Sequence, residues 1–295
     1  MHTLSPLDLP AFVHHVAVRQ RQPIMIWGPP GCGKSECVAQ VCNDDNGVLV
    51  DIRLSQYDSV DLRGIPTVDG GLTVWNAPST LPFVGNDAFP TDKRIYLFLD
   101  EINSAAPPVA AVAYQLINDR RVGEHHLMDN VVIIAAGNRE GDRGVTNRMP
   151  TPLANRFIHC EIMPDVAAST VYAAQNNWPA EWVAFINFRK PLLSTFDPSK
   201  PDKAFATPRT WEKAMRSYAD TTMPSNIKQA AMAGAVGDGP SGEFWGFVDV
   251  WHKMIPVEKI IADPVRCALP DEGSMAYAVA VSISGSMDTK NVTPL

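Results

Sequence analysis

Short, continuous apolar runs alternate along the first half of the chain with stretches that carry apolar residues at helical spacing. Continuous runs are typical of parallel strands buried on both faces, and strands that alternate with helices build an α/β fold with right-handed crossovers. The pattern therefore predicts a parallel five-stranded sheet with helices on both sides. Its strands are Ile24–Trp27, Val48–Leu54, Ile95–Leu99, Val131–Ala136 and Phe157–Ile162, with an approach helix before Pro23 and further helices at Lys34–Asn43 and Val109–Asp119.

After Met163 the pattern becomes helical. Aromatic residues at helical spacing there are expected to form a core rather than a ligand cage. The chain thus divides into an α/β domain, residues 1–164, and a helical C-terminal domain with a tail, residues 165–295. The predicted helices of the C-terminal domain are Val166–Gln175, Pro179–Arg189, Pro208–Tyr218 and Ser225–Val236. One more helix is expected within Ser274–Ser284. The end at Leu295 has no clear helix stop, which is expected for a short form or a truncated chain.

The segment after the first strand is a glycine-rich loop of the pattern G-x-x-x-x-G-K-S. In this pattern the glycines let backbone N–H groups converge on phosphate, the lysine places a charge beside the β- and γ-phosphates, and the serine hydroxyl binds Mg²⁺. The strand before it and the helix after it argue against a chance glycine turn. The predicted nucleotide-binding residues are Gly28, Pro29, Pro30, Gly31, Cys32, Gly33, Lys34, Ser35 and Glu36.

The strand at Ile95–Leu99 ends in two acidic residues, Asp100 and Glu101. Ligands of open α/β sheets bind at the carboxyl ends of the strands. We therefore expect Asp100 to face the Mg²⁺ shell and Glu101 to orient and polarise the attacking water. An acidic pair that only starts a helix is the alternative interpretation.

A neutral amide, Asn138, follows the strand at Val131–Ala136 and is expected at the same edge of the sheet. Such an amide can donate to the γ-phosphate or position the water without adding charge. An asparagine that only caps a turn is the alternative.

Two segments of the α/β domain carry turn signals between apolar flanks. Asp61–Trp75 contains Asp-Gly-Gly and is predicted to project as a β-hairpin, and Arg121–Leu127 is predicted to form a second hairpin. Two interpretations of these inserts are open: they contact a partner, or they are inert surface excursions.

The chain resembles an AAA+ ATPase in five motifs: Gly28–Ser35, Ile95–Glu101, Asn138, Pro152–Phe157 and Pro208-Arg209. The resemblance narrows to the MoxR-type, helix-2-insert clade, because Asp61–Gly64 followed by Val68–Trp75 is similar to the hairpin that this clade inserts into its second helix. It covers roughly residues 20–255. It implies a P-loop AAA+ core with a C-terminal helical lid.

The resemblance also implies catalytic roles. Arg156 matches the arginine finger that reaches the γ-phosphate of the next protomer. It lies in an arginine-rich segment with Arg139, Arg143 and Arg148 that can instead be solvated or bind nucleic acid, and Arg120, Arg121 and Arg148 are rival fingers. Arg209 matches the second sensor, although an ordinary first-turn helix arginine is an open alternative. The predicted catalytic set is Glu101, Asn138, Arg156 and Arg209, with Ser35 and Asp100 as metal ligands.

Composition bears on the partners and on the compartment. The net charge of −7 argues against a ring that tracks along DNA or RNA, which is expected to display a basic surface. The absence of a long apolar run and of a signal-peptide pattern favours a cytoplasmic protein without a membrane span. The five cysteines contain no C-x-x-C pair, so neither a disulfide framework nor a zinc knuckle is supported.

The sequence thus predicts an ATPase that binds ATP and Mg²⁺. The resemblance implies a homo-oligomeric ring, usually a hexamer, that acts like a MoxR chaperone on a protein client and often works with a von Willebrand A-domain protein. A nucleic-acid-associated AAA+ motor or a restriction-type NTPase is the main alternative. A nucleotide-gated scaffold with negligible turnover is a third, and Glu101 argues against it.

Overall fold

The computed structural model describes residues 2–139, 141–142, 149–252 and 279–280. The chain separates into two compact units, Met1–Met163 and Pro164–Leu295. The predicted helix within Ser274–Ser284 lies almost wholly outside the described residues, as do Arg143 and Arg148. No described helix combines the length and the apolar character needed to cross a bilayer.

The first unit contains one large parallel sheet, two small hairpins and several helices. Its strands are β1 (Thr3–Leu4), β2 (Ile24–Trp27), β3 (Val48–Arg53), β4 (Ile65–Asp69), β5 (Leu72–Asn76), β6 (Ile95–Asp100), β7 (Arg121–Val122), β8 (His125–His126), β9 (Val131–Gly137) and β10 (Ile158–Ile162). Its α-helices are α1 (Leu9–Phe12), which continues as a π-helix over Val13–Arg19, α2 (Lys34–Asp44), α3 (Ser59–Arg63), α4 (Pro107–Asp119) and α5 (Thr151–Ala154), with 3₁₀ turns at Leu54–Gln56 and Ile102–Ser104.

The large sheet has the strand order β1-β10-β2-β9-β6-β3, and all neighbouring strands are parallel. The predicted α/β fold is therefore confirmed. The sheet has six strands rather than the predicted five, because β1 adds to its edge by pairing Thr3 with Glu161 of β10. A strand of two residues is too short to produce a recognisable apolar run.

The continuous apolar run of β6 follows from its position inside the sheet. Ile95, Leu97 and Leu99 pack into a core on one face, whereas Tyr96 and Phe98 pack into a second core on the other. Successive side chains of a strand point to opposite faces, so a strand covered on both sides is apolar at every position.

Both predicted hairpins form. The first joins β4 to β5 through Gly70 and Gly71, whose φ angles of 55° and 81° are those of a two-residue turn with both central residues in the left-handed region. Val68 and Leu72 beside this turn are 80% and 72% exposed. The second hairpin pairs β7 with β8.

The second unit is helical in its described part. It contains α6 (Val166–Gln175), α7 (Ala180–Phe188), α8 (Pro208–Ala219), α9 (Ser225–Val236) and α10 (Asp238–Trp251), with a 3₁₀ turn at Lys190–Leu193. The expected aromatic core is confirmed by Trp182 and Phe185, which are buried together with Trp211 and Phe244.

Helix α10 was not among the predicted helices. Its first turns contain Gly239, Pro240 and Gly242, which disfavour a helix in isolation. Phe244, Phe247 and Val248 lie buried in the core of the second unit, and this burial outweighs the weak local propensity.

Candidate functional site

The strand order brings three predicted site segments to one edge of the sheet. β9 lies between β2 and β6, so the residues that follow these three parallel strands meet at their carboxyl ends. Gly28 follows β2, Asn138 follows β9, and Asp100 ends β6. This edge is where open α/β sheets bind ligands.

The glycine-rich loop leads directly into helix α2. Gly33 occupies the N-cap position with a φ of 97°, a left-handed conformation that glycine adopts without steric cost, and Lys34 is the first helical residue. The first backbone N–H groups of a helix have no partner within the helix, and the helix dipole adds a partial positive charge there. The loop and helix together therefore suit a phosphate group.

Lys34 is buried at the mouth of this loop, with 8% of its surface exposed. Its Nζ donates to the carbonyl oxygens of Gly28 at 2.8 Å and Pro29 at 3.1 Å. It also donates to Oδ1 of Asn138 at 3.1 Å. The predicted phosphate lysine and the predicted amide of β9 are thus in direct contact.

Ser35 and Asp100 form the second pair that the sequence predicted. Ser35 Oγ donates to Asp100 Oδ2 at 3.1 Å, and Asp100 is buried, with 7% exposure. Burial raises the pKa of nearby Asp51, and the negative charge of Asp100 raises it further. Negative charge is therefore concentrated at this point of the sheet edge.

This pair fits a magnesium ion. Within the described part of the chain, no group of three or more His, Cys, Asp or Glu side chains is arranged to hold a metal. Mg²⁺ does not need such a cage, because it prefers oxygen ligands, keeps several waters and shares phosphate oxygens with one or two protein groups. The hydroxyl of Ser35 and the carboxylate of Asp100 are ligands of that kind.

Glu101 has a left-handed backbone, with a φ of 56°. Its amide donates to Asp100 Oδ1 at 2.8 Å, which ties it to the preceding acid. Its carboxylate accepts a hydrogen bond from Ser55 Oγ and lies 3.8 Å from Nε of Arg53. Ser55 and Arg53 are therefore site residues that the sequence analysis missed.

The strand register explains this contact. Arg53 is paired with Asp100 where β3 runs beside β6, and Ser55 follows in the 3₁₀ turn after β3. Nothing in the local sequence marks β3 as the neighbour of β6. The polar pair Arg53 and Ser55 at the end of a predicted strand was the only available signal.

Asn103 is a third site residue that the sequence analysis missed. Its Nδ2 donates to the backbone oxygen of Asn138 at 2.7 Å, and the residue is 4% exposed. Its buried Oδ1 has no hydrogen-bond partner among the described residues. Asn103 therefore fixes the backbone that presents the Asn138 amide.

The candidate arginine fingers have different surroundings. Arg156 is exposed and makes no ion pair with any residue that the structure describes. Arg120 instead donates to the backbone oxygens of Met128 and Val131, both at 3.0 Å, and burial lowers the pKa of its guanidinium.

Two further arginines are also engaged locally. Arg121 donates to the oxygen of Gly123 at 3.3 Å in its own hairpin. Arg139 pairs with Asp142 at 2.8 Å and with Glu161 at 3.3 Å. The role of Arg156 as the finger stays a prediction, and Arg148 lies outside the described residues.

Arg209 belongs to the second unit. It is the second residue of α8, behind Pro208 and the N-cap Thr207, whose hydroxyl accepts from the amide of Thr210 at 3.1 Å. Its reach to a γ-phosphate stays a prediction.

Comparison with known proteins bears on the same region. The family described as AAA domain (dynein-related subfamily) matches residues 23–157. Protein NorQ of Paracoccus denitrificans (strain Pd 1222) is 24% identical over 173 residues, which cover 56% of this chain and 62% of NorQ. The chain thus spans less than two thirds of that relative.

Two solved structures are also similar. NtrX from Brucella abortus in complex with ADP is 15% identical with a TM-score of 0.41, over 81% of this chain and 65% of that one. A mutant of RuvB from Thermotoga maritima is 13% identical with a TM-score of 0.43, over 94% of this chain and 81% of that one.

The family match confirms the AAA+ resemblance that the motifs carry, and the NorQ match agrees with its MoxR-type form. The helix-2-insert clade stays a prediction. The matched region contains the glycine-rich loop, Asp100, Glu101 and Asn138. Residues 23–157 of this chain are thus similar to the AAA domain of the dynein-related subfamily.

Proposed function

We propose that this chain is a Mg²⁺-dependent ATPase that works as a ring oligomer and remodels or activates a partner protein. One observation carries the proposal: five predicted site residues converge at the carboxyl edge of one sheet, namely Lys34, Ser35, Asp100, Glu101 and Asn138. Each residue type suits one task in phosphoryl transfer to water.

Lys34 and Asn138 bind the phosphates. The Lys34 ammonium contacts neutral carbonyl oxygens at the loop mouth, and anionic phosphate oxygens make stronger, charge-assisted bonds with the same donors. Because Oδ1 of Asn138 accepts from Lys34, its Nδ2 is the group that can donate to the γ-phosphate or to the attacking water.

Ser35 and Asp100 would hold Mg²⁺, which, when bound, neutralises charge on the β- and γ-phosphates. Glu101 acts on the water. Its carboxylate accepts a hydrogen bond from that water and holds it in line with the γ-phosphate. Ser55 and Arg53 contact the same carboxylate.

Arg156 completes the site of the neighbouring subunit. Its exposure and its lack of an ion pair with any described residue support this role, because a finger must reach beyond its own chain. We assign Arg209, at the start of α8, to sensing the γ-phosphate within the same chain. The domain assignment, a nucleotide core over residues 1–164 and a lid and tail over residues 165–295, is part of this proposal.

The partner is a protein rather than a nucleic acid. The net charge of −7 disfavours a phosphate backbone as the ligand. The β4–β5 hairpin instead offers exposed apolar side chains, above all Val68 and Leu72, which suit contact with a protein. A client and a von Willebrand A-domain protein, as the family resemblance implies, are the partners we propose.

The test compares phosphate release and binding of a fluorescent ATP analogue in two variants. Lys34→Ala should lose both binding and turnover. Glu101→Gln should bind the analogue within a few-fold of the wild-type affinity and lose on the order of 10² or more in turnover, because it removes only the general base. Glu124→Gln, at the exposed tip of the β7–β8 hairpin, is the matched control and should retain both.

Each main alternative has a distinct outcome. Equal loss of analogue binding in Lys34→Ala and Glu101→Gln would contradict the assigned roles. A wild-type chain that binds the analogue but releases no phosphate would be a nucleotide-gated scaffold. Stimulation of phosphate release by DNA that disappears with added salt would favour a nucleic-acid motor.

A further inference from the structure

The imidazole of His159 links two parts of the first unit that the proposed mechanism treats separately. Trp27 Nε1 donates to His159 Nδ1 at 2.9 Å. His159 Nε2 lies 2.6 Å from the backbone oxygen of Ala154. The planes of the two rings are nearly parallel, at an interplanar angle of 11°, and their centroids are 6.1 Å apart.

These two contacts fix the protonation of the ring. An indole N–H can only donate, so Nδ1 of His159 must accept and carries no proton. A carbonyl oxygen can only accept, so Nε2 must carry the proton and donate to Ala154. His159 is therefore a neutral imidazole with one accepting and one donating side.

Each partner of His159 adjoins a residue of the site. Trp27 ends β2 and directly precedes Gly28, the first residue of the phosphate loop. Ala154 ends α5, and its oxygen also accepts from the amide of Phe157 at 3.2 Å. That hydrogen bond closes the turn that carries Arg156.

Backbone pairing does not account for this link. β10 and β2 are already held together by their register, in which His159 lies opposite Met25. The turn at Ala154–Phe157 precedes β10 and is outside that ladder. A phenylalanine would also place an aromatic ring beside Trp27 and Phe157, so the hydrogen bonds are what the imidazole adds.

We propose that His159 is a positioning residue that holds the Arg156 turn in register with the strand leading to the phosphate loop. The proposal rests on the proposed function, in which Arg156 acts in trans.

Three variants separate the hydrogen bonds from packing. His159→Phe keeps an aromatic ring and removes both hydrogen bonds, whereas His159→Gln keeps one acceptor and one donor. Trp27→Phe removes the first bond from the other side.

In His159→Phe we expect KM for ATP within about twofold and kcat lower by between about tenfold and about a hundredfold, the range for a misplaced catalytic group. His159→Gln should recover most of kcat. Trp27→Phe should also lower kcat. In the double variant with His159→Phe, the two losses of kcat should not be fully additive. Thermal melting of each variant establishes that it is folded.

Mixed rings identify the site through which His159 acts. In a mixture of His159→Phe with Lys34→Ala, the first subunit supplies an intact phosphate loop and the second supplies a correctly held Arg156. Turnover per His159→Phe subunit should therefore rise towards wild type. Arg156→Ala mixed with Lys34→Ala is the reference, and it should recover turnover in the same way.

The outcomes distinguish the two proposals. If the reference mixture recovers turnover and the His159→Phe mixture does not, His159 acts on its own phosphate loop and its proposed role in holding the Arg156 turn is wrong. A wild-type kcat in folded His159→Phe would overturn it as well. If neither mixture recovers although mixed rings form, Arg156 does not act in trans, and the proposed function fails together with the proposed role of His159.

Discussion

Ser55 Oγ donates a hydrogen bond to the carboxylate of Glu101, although 46 residues separate them in the sequence. Ser55 lies in the turn after β3, and Glu101 directly follows β6. The proposed water-polarising group is therefore held by a side chain from the neighbouring strand before it meets a water molecule. Arg53, 3.8 Å from the same carboxylate, adds a positive charge.

The first prediction follows from this contact. A carboxylate oxygen that accepts from Ser55 is a weaker acceptor for the attacking water, so Ser55→Ala should raise basal turnover. One such hydrogen bond is worth about 1 kcal/mol, which corresponds to roughly fivefold in rate. Phosphate release without a partner measures the effect, and Ser79→Ala, at an exposed serine in the segment between β5 and β6, is the control. A fall in turnover would mean that Ser55 orients Glu101 productively.

The second prediction concerns Arg156. Arg156→Ala should retain affinity for an ATP analogue within a few-fold and lose on the order of 10³ in turnover, the lower end for an arginine finger. Arg121→Ala should change turnover little, because Arg121 bonds within its own hairpin. Arg120→Ala should lower Tm instead, because it leaves the oxygens of Met128 and Val131 without their donor. If Arg121→Ala causes the larger loss of turnover, the finger is misassigned.

The third prediction separates ATP hydrolysis from client contact. Replacing Val68–Val74 by a short Gly-Ser turn should leave basal turnover and assembly intact and abolish stimulation by a co-purified partner, since these residues supply no group to the site. Trp75 should be kept, because the guanidinium of Arg63 lies 4.0 Å from its ring centroid and His125 Nε2 lies 2.9 Å from its backbone oxygen.

ATPase assays with and without the partner, together with light scattering, measure this effect. Changing Gly123-Glu124 at the tip of the second hairpin to Gly-Ser is the matched control. Full stimulation of the shortened chain would show that the β4–β5 hairpin is an inert excursion.

The fourth prediction concerns acid stability. Burial alone would raise the pKa of Asp45, but hydrogen bonds from Arg94 and Tyr96 bring it below its usual 3.8. A lowered folded-state pKa means that the ionised carboxylate stabilises the fold above the unfolded value, and that this stabilisation is lost as pH falls through the folded value.

Asp45→Asn should therefore lower Tm near neutral pH, and the difference from wild type should shrink as the pH falls below 3.8. Thermal melts across this range measure it. Asp92→Asn, an exposed acid in the segment before β6, should show no such pH dependence. A constant difference at every pH would mean that Asp45 acts through packing rather than charge.

Local signals made much of the site predictable. The phosphate loop is contiguous, and Asp100, Glu101 and Asn138 directly follow apolar runs that could only be buried strands. Parallel strands place such residues at one edge whatever their order. The contacts of Lys34 with Asn138 and of Ser35 with Asp100 agree with that expectation.

The residues that were missed depend on strand order or on burial. Ser55 reaches Glu101 because β3 is the neighbour of β6, and His159 reaches Trp27 because β10 is the neighbour of β2. The sequence contains no signal for either pairing. Asn103 lies in a 3₁₀ turn whose geometry depends on the packing around β9, and α10 is helical because its aromatic side chains are buried.

Because the backbone of Glu101 is left-handed, stability and catalysis favour different residues at position 101. Its φ of 56° is one that glycine or asparagine adopts more easily, and the excess for a glutamate is roughly 1 kcal/mol. A variant library sorted only for survival of heat should therefore enrich glycine or asparagine at position 101. A library sorted for ATP turnover should retain the glutamate and lose the more stable glycine and asparagine variants.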